Sequence, residues 1–95
     1  MKLGRIVGTV VSTRKDPSLD SLKLLIVENL TTDLGREGGY VVAVDSVGAG
    51  LGEVILYATG SSARLTAATK DRPVDAVIMG IVDSFDVEGR SVRLA

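Results

Sequence analysis

The side chains that most often carry out catalysis are poorly represented in this sequence. It contains no histidine and no cysteine, which excludes a Ser-His-Asp triad, a cysteine nucleophile and metal sites built from imidazole or thiolate. Ser61 and Ser62 are adjacent hydroxyls that could act as nucleophiles, but no base lies near them in the sequence. The carboxylates are spaced singly rather than in pairs, at positions such as Asp45, Glu53, Asp75 and Asp83. We therefore predict no enzymatic activity, no catalytic residue, no cofactor and no metal ion.

A glycine-dense stretch, DSVGAGLGEV at positions 45–54, is the segment whose composition comes nearest to a phosphate-binding loop. The dinucleotide-binding fingerprint requires glycine at its first, third and sixth positions. Counted from Gly48, the sixth position is Glu53, whose negative charge would repel a pyrophosphate. The tripeptide Gly-Lys-Ser/Thr of Walker-type loops does not occur in the chain. The stretch is therefore not a recognisable nucleotide loop, and its glycines need another explanation.

Binding of single-stranded nucleic acid is also disfavoured, although small five-stranded barrels often bind such strands. That mode of binding needs aromatic side chains that stack on bases within a positively charged groove. The chain offers only Tyr40, Tyr57 and Phe85, and its formal net charge is −1. We predict no nucleic-acid partner.

The length and composition predict one domain, residues 1–95, that associates with other copies of itself. The chain is 45% hydrophobic, which is a large apolar share for a volume this small, and a monomer would expose much of it. No apolar run approaches the roughly 18 residues that cross a bilayer, and the N-terminus lacks the pattern of a signal peptide. We expect a cytoplasmic protein without a membrane partner, which the absence of cysteine fits.

Short runs rich in β-branched residues alternate with turn clusters, which predicts strands along most of the chain. The first strand contains Gly4 and Gly8 and should be strongly bent. The predicted strands are Leu3–Thr13, Leu22–Leu30, Tyr40–Asp45, Glu53–Thr59, one strand within Val74–Phe85, and Ser91–Leu94 after a turn at Glu88-Gly89. One short helix is predicted over Ser61–Thr69, where serine can cap its start. This pattern is all-β with one short helix and is typical of a small β-barrel, closed or partly closed.

The second predicted strand is apolar on both of its alternating faces. Leu22, Leu24 and Ile26 lie on one face, and Leu25 and Val27 lie on the other. The segments YVVAV and AVIMGIV behave in the same way. A strand of an isolated small barrel should have one polar face, so we expect one apolar face to line the barrel core and the other to contact a neighbouring subunit.

The sequence resembles the pentameric vertex proteins of bacterial microcompartment shells, the EutN/CcmL family, over essentially its full length. The matching residues are Met1-Lys2-Leu3 with Gly8, Lys23–Val27, Asp45, Val47–Gly50, Gly52-Glu53, Gly60–Arg64, Pro73–Asp75 and Gly80–Asp83. One departure is Val54, where many members of the family carry tryptophan, so we expect the packing at this position to differ from theirs. The resemblance implies an OB-like five-stranded β-barrel that assembles into a cyclic homopentamer.

Such pentamers close the vertices of a polyhedral shell whose facets consist of hexameric shell proteins, and the shell lies in the cytoplasm. The resemblance also suggests an interface role for the glycine loop and the turn that follows the next strand, since five copies of a loop near one axis require close approach. The candidate interface residues are Gly48, Ala49, Gly50, Gly52, Glu53, Gly60, Ser61, Ser62 and Arg64.

Two alternatives remain open on the sequence alone. The glycine loop could be an ordinary tight turn between strands, with Arg64 solvated, because the conformational freedom of glycine serves either purpose. The whole chain could instead be an OB-type binding module for a single-stranded nucleic acid or a protein partner, acting as a monomer or dimer. The sequence does not distinguish a carboxysome from a catabolic microcompartment.

Overall fold

The computed structural model describes residues 1–94, and these are organised almost entirely in strands. The strands are β1 (Lys2–Val10), β2 (Leu24–Leu30), β3 (Arg36–Asp45), β4 (Val54–Thr59), β5 (Ala76–Ile81), β6 (Ser84–Val87) and β7 (Arg90–Arg93). Two 3-10 helices, Pro17–Leu19 and Gly60–Arg64, lie in the connections. Within residues 1–94, no helix is both long and apolar enough to cross a bilayer.

Strands β1 to β5 form a closed barrel in the order β1-β2-β3-β5-β4. All neighbouring strands are antiparallel except β3 and β5, which are parallel and pair at only two positions, Val44 with Val77 and Asp45 with Ile78. Every strand of the closed sheet therefore pairs with a neighbour on each side, although β3 and β5 share only these two positions. The predicted five-stranded OB-like barrel is confirmed.

The barrel interior is filled by aliphatic side chains and one tyrosine. Its buried members are Ile6, Leu25, Val27, Ala43, Ala49, Ile55, Tyr57, Ala76 and Ile78. Gly4 is required beside them, because a Cβ at this position would lie 2.2 Å from Cγ1 of Val27. The Tyr57 hydroxyl donates a hydrogen bond to Oδ1 of Asn29, so the one polar group that the tyrosine brings into the core has a partner.

The bend predicted in the first strand is a β-bulge. The pairing of β1 with β2 shifts register between Ile6 and Gly8, which places Val7 in the bulge. The strand ends at Val10, before the predicted end at Thr13. Strand β3 begins at Arg36, four residues before the predicted start at Tyr40. Nε of Arg36 lies 2.8 Å from Oε2 of the buried Glu28 on β2.

A second apolar cluster lies on the outside of the barrel. The expectation that the outward apolar face of the strands contacts a neighbouring subunit is therefore wrong for the residues in this cluster. The segment after β4 covers this surface, which is formed by Val44, Ala58, Ala63 and Val77 with Leu22, Leu24 and Val74 packed against them. Leu24 is therefore covered by its own chain. Ile26, on the same face of β2, is only half-buried, so it remains available to a neighbouring subunit.

The predicted helix over Ser61–Thr69 is wrong in type and in length. Only Gly60–Arg64 is helical, and it is a 3-10 helix followed by turns. The hydroxyls of Thr66 and Thr69 bond to each other and to nearby backbone groups, and Thr69 Oγ1 donates to the carbonyl of Ala63 at 2.6 Å. Threonine hydroxyls that satisfy local backbone groups compete with α-helical hydrogen bonds, so the alanines do not extend the helix.

Candidate subunit interface and glycine loop

The glycine loop, residues 46–53, is anchored by the carboxylate of Asp45 at the end of β3. Oδ1 of Asp45 accepts hydrogen bonds from the backbone N–H groups of Val47, Gly48 and Ala49 at 3.0, 3.1 and 3.2 Å. Lys23 supports this arrangement, because its Nζ lies 3.8 Å from Oδ2 of Asp45 and donates to the carbonyl of Ala49 at 3.5 Å. One buried carboxylate thus fixes the first half of the loop. Sequence reasoning matched Asp45 to the family but assigned it no role in the loop.

The glycines of the loop have different structural roles. Gly48 and Gly52 have φ of +77° and +84°, and only glycine adopts this region without strain. Gly50 does not have a positive φ, and a Cβ there would lie 3.4 Å from Oε1 of Glu53, an ordinary contact. The turn is therefore made by Gly48 and Gly52, and the backbone conformation of Gly50 does not itself require glycine.

Glu53 closes the second half of the loop within its own subunit. Its Oε1 accepts a hydrogen bond of 2.6 Å from the backbone N–H of Gly50. The backbone of the loop also pairs with β1, since Gly52 N–H donates to the carbonyl of Ile6 at 2.8 Å, and Nη1 of Arg5 donates to the carbonyl of Gly52 at 2.9 Å. The loop is therefore a rigid turn tied to the barrel, and Glu53 is a positioning residue for it.

The turn after β4 presents its polar residues to solvent. Gly60 has φ of +70° and donates its N–H to the carbonyl of Asp75 at 2.9 Å. Ala63 is fully buried in the outer cluster, while Ser61, Ser62 and Arg64 are exposed. Ser62 Oγ donates to the carbonyl of Thr59 at 2.8 Å. The Arg64 guanidinium has no hydrogen bond or ion pair with any residue in 1–94, so it is free to contact another molecule.

The two groups of candidate interface residues are not brought together within one subunit. The glycine loop precedes β4 and the 60–64 turn follows it, so the six-residue strand separates them by about 16 Å. An ion pair between Glu53 and Arg64 of the same chain is thereby excluded. Within one subunit the two groups therefore make no direct contact through these charges.

The barrel also exposes two apolar surfaces that residue types alone did not single out. The first outer patch consists of Val7, Ile26 and Val42 on β1, β2 and β3, where Ile26 pairs with Val42 and with Gly8. Val7 and Val42 are 42% and 48% exposed. The doubly apolar strand pattern indicated such surfaces, but it did not reveal which outward residues the chain itself would cover.

The second outer patch consists of Leu3, Leu56 and Met79 on β1, β4 and β5. Leu3 pairs with Leu56, and Leu56 pairs with Gly80 beside Met79. Met79 is exposed, and the two leucines are half-buried. The two patches therefore lie on different sides of the barrel. Two distinct apolar surfaces are what a head-to-tail contact between identical subunits uses.

The carboxylates of residues 1–94 do not cluster into a metal site. Residues 1–94 contain no group of three or more acidic side chains placed to bind a metal ion. Side-chain and backbone hydrogen bonds from Ser18 hold the pKa of Asp16 below its usual value, and the hydroxyl of Thr31 and the N–H of Gly35 do so for Asp33. Both carboxylates are fully exposed turn residues, so the lowered pKa values report local turn structure.

A small closed barrel with an external covering segment and a tied glycine loop places the chain among OB-like barrel proteins. Residues 1–83 match the family model described as ethanolamine utilisation protein EutN/carboxysome. The carboxysome shell vertex protein CcmL of Gloeobacter violaceus is 46% identical over 95% of this chain and 90% of that protein. Its solved structure has a TM-score of 0.91 and covers 96% of this chain and 94% of the other.

Two relatives from other microcompartments share the same percentage of identical residues. The shell vertex protein PduN of Salmonella typhimurium is 46% identical over 90% of this chain and 98% of its own length. The structure described as the GrpN pentameric microcompartment shell protein of Rhodospirillum rubrum is 46% identical, with a TM-score of 0.83, and covers 92% of this chain and all of that one. The chain belongs to the EutN/CcmL family.

Proposed function

We propose that this protein forms a ring of five copies that caps the vertices of a polyhedral bacterial microcompartment in the cytoplasm. The observation that carries the proposal is the match to GrpN, which is described as a pentameric shell protein. GrpN is 46% identical to this chain, and the match covers 92% of this chain. Relatives named as shell vertex proteins, from carboxysomes and from other microcompartments, support the same function. The role is structural, and the barrel serves as a building block.

The surface of the barrel supports assembly into a ring. A cyclic ring of identical subunits uses head-to-tail contacts, in which one surface of each subunit meets a different surface of the next. The first and second outer patches lie on different sides of the barrel and are apolar. Burial of such patches stabilises association by roughly 25 cal/mol for each Å² of apolar surface.

The candidate interface residues support the same ring from two positions. Gly48, Gly52 and Gly60 have open space where a Cβ would lie, so another chain can approach the backbone there. Arg64 is exposed and without a partner in residues 1–94. Its guanidinium suits a carboxylate or a set of backbone carbonyls on the neighbouring subunit.

The shell role follows from geometry. A flat hexagonal net closes into a polyhedron only if fivefold points are inserted, and hexameric shell proteins are therefore the expected partners of this pentamer. Electron microscopy of a strain that lacks this gene and has no second vertex protein should show sheets or tubes that fail to close. Normal closed polyhedra in that strain would contradict the proposed role.

The oligomeric state provides the direct test in vitro. Native mass spectrometry of the purified protein should give about five times the subunit mass of 9.9 kDa. A stable monomer or dimer at micromolar concentration would instead favour the OB-type binding module.

A further inference from the structure

The last two strands form a hairpin that stands apart from the barrel. Strands β6 and β7 pair only with each other and constitute a separate two-stranded sheet. Glu88 and Gly89, with φ of +48° and +80°, form the two-residue turn between them. The molecule measures 46 Å along its long axis and 23 and 22 Å along the other two. No hairpin residue within the described chain belongs to either apolar cluster.

One face of this hairpin is mainly apolar, with Arg90 opposite Val87 next to the turn, and the other face is polar. Phe85 pairs with Val92, and Val87 lies on the same face as Phe85. The opposite face carries Asp86 and Ser91, joined by a hydrogen bond of 2.6 Å. An isolated two-stranded hairpin is only marginally stable in water. Phe85, Val87 and Val92 are each half-buried within their own subunit, so part of the apolar face remains open to a further surface.

The first outer patch has the chemistry and the position to be that surface. Its three apolar side chains lie on neighbouring strands, and Gly8 leaves the space beside Ile26 without a side chain. Tyr40, which is 63% exposed, lies two residues before Val42 on the same face of β3. An exposed aromatic beside aliphatic side chains is a frequent anchor in protein interfaces.

We propose that the apolar face of the hairpin packs on the first outer patch of the adjacent subunit in the ring. The hairpin leaves the barrel from β5, which also carries part of the second outer patch. The first outer patch lies on β1, β2 and β3, so a head-to-tail contact presents it to the β5 side of the next subunit. This inference rests on the proposed pentamer and identifies which surfaces join its subunits. The hairpin lies beyond residue 83, where the family model ends.

The absence of native cysteine permits a direct test by cross-linking. Val92→Cys and Val42→Cys are combined in one full-length chain, and the assembled protein is treated with a short bismaleimide, which tolerates looser geometry than a disulfide. We expect a denaturing gel to show a ladder up to five covalently joined chains. The matched control combines Ser91→Cys with Val42→Cys, because Ser91 is adjacent in sequence but lies on the opposite face of the hairpin.

The outcomes separate this inference from the proposed function. A ladder in the Val92 variant that clearly exceeds that of the Ser91 control supports packing between subunits. If native mass spectrometry shows pentamers and the two variants cross-link equally or not at all, the hairpin packs elsewhere and the inference is wrong. If the unsubstituted protein shows no pentamer, the proposed function itself is wrong.

A second variant tests the contribution of the contact to assembly. Phe85→Ser should raise the concentration at which half of the subunits remain in rings by about tenfold or more. The circular dichroism of the barrel should be unchanged, because Phe85 is not part of its core. Asp86→Ser, on the polar face, is the control and should leave assembly unchanged. Equal assembly of Phe85→Ser and the unsubstituted protein would contradict the inference.

Discussion

Glu53 and Arg64 lie at opposite ends of β4 and face different environments. Glu53 accepts a 2.6 Å hydrogen bond from the Gly50 N–H inside its own loop. Arg64 is exposed and has no partner among residues 1–94. The two charges therefore act separately. Glu53 maintains the shape of the subunit, whereas Arg64 is available to contact a neighbour.

Arg64→Ala should weaken the ring without unfolding the subunit. If the guanidinium is buried against polar groups of the adjacent subunit, its loss costs on the order of 2–5 kcal/mol at each interface. Sedimentation velocity across a dilution series should then show dissociation that is absent from an Arg14→Ala control. A solvated arginine would contribute less than about 0.5 kcal/mol, and an intact ring at all dilutions would establish that alternative.

Valine substitutions in the glycine loop should separate effects on folding from effects on assembly. Gly48→Val and Gly52→Val should lower the free energy of unfolding by roughly 1–3 kcal/mol, because a β-branched residue is strained at positive φ. Gly50→Val should leave the fold nearly unchanged and weaken ring assembly by adding bulk where chains approach. Thermal unfolding by circular dichroism, beside native mass spectrometry, measures both effects. Full assembly of Gly50→Val would identify the loop as an ordinary turn.

Asp45→Ala should destabilise the subunit more than the loss of an exposed carboxylate does. Three backbone N–H groups lose their common acceptor, and the expected cost is about 1–3 kcal/mol. Urea denaturation of Asp45→Ala, Asp45→Asn and the exposed control Asp75→Ala provides the measurement. The asparagine variant keeps a side-chain carbonyl and should recover part of the loss. Equal stability of Asp45→Ala and Asp75→Ala would show that the buried carboxylate does not anchor the loop.

The free energy of unfolding should fall at alkaline pH because of Tyr57 in the barrel core. Burial raises the pKa of Tyr57 above its ordinary value of 10.0, and the negative charge of Glu37 adds to this shift. Because the pKa of Tyr57 is higher in the folded state than in the unfolded state, the protonated hydroxyl stabilises the fold. This contribution is fully present below pH 10 and is lost as the pH rises through the folded-state pKa. Urea denaturation at pH 8 and above pH 10 should show this loss.

The control variant is Tyr57→Phe, which cannot ionise. It should be less stable at pH 8 by about 1 kcal/mol, because the hydrogen bond to Asn29 is lost, and it should not show the loss of stability caused by ionisation of Tyr57. An equal alkaline loss in both proteins would contradict the assignment to Tyr57.

The protein should not bind oligonucleotides or nucleotides appreciably at physiological salt, and it should show no enzymatic turnover. Tyr40 is the one exposed aromatic ring of the barrel, since Tyr57 is buried and Phe85 lies on the hairpin. Stacking of successive bases needs several such rings in a basic groove. Fluorescence anisotropy with a labelled single strand is the measurement. Binding with a low-micromolar Kd would restore the OB-type binding module.

The sequence predicts the barrel well because short runs of β-branched and leucine residues between turn clusters are a local signal. The strand Leu22–Leu30 was recovered within two residues, since both of its faces are β-branched or leucine-rich. The helix over Ser61–Thr69 failed because side-chain hydrogen bonds of Thr66 and Thr69 decide the local structure. Helix propensity does not include such contacts.

The candidate site was predictable in kind and not in detail. Glycine density indicated a constrained loop, but the positions with positive φ depend on how the backbone returns to β1. The role of Asp45 in capping the loop depends on its burial beside Lys23, which is far away in the sequence. Which outward apolar residues are buried by the chain itself depends on where the segment 60–74 packs. These are long-range relationships, which residue spacing does not encode.

The narrow parallel pairing of β3 with β5 has a consequence for how the protein folds. Its two paired positions join parts of the chain that lie far apart in sequence. The entropy of loop closure therefore opposes the pairing of β3 with β5 more than it opposes the formation of any hairpin. Until it forms, the edges of β3 and β5 are open and can accept a strand from another chain. Refolding at high concentration therefore competes with strand exchange and aggregation, and dilute refolding before concentration favours the closed subunit.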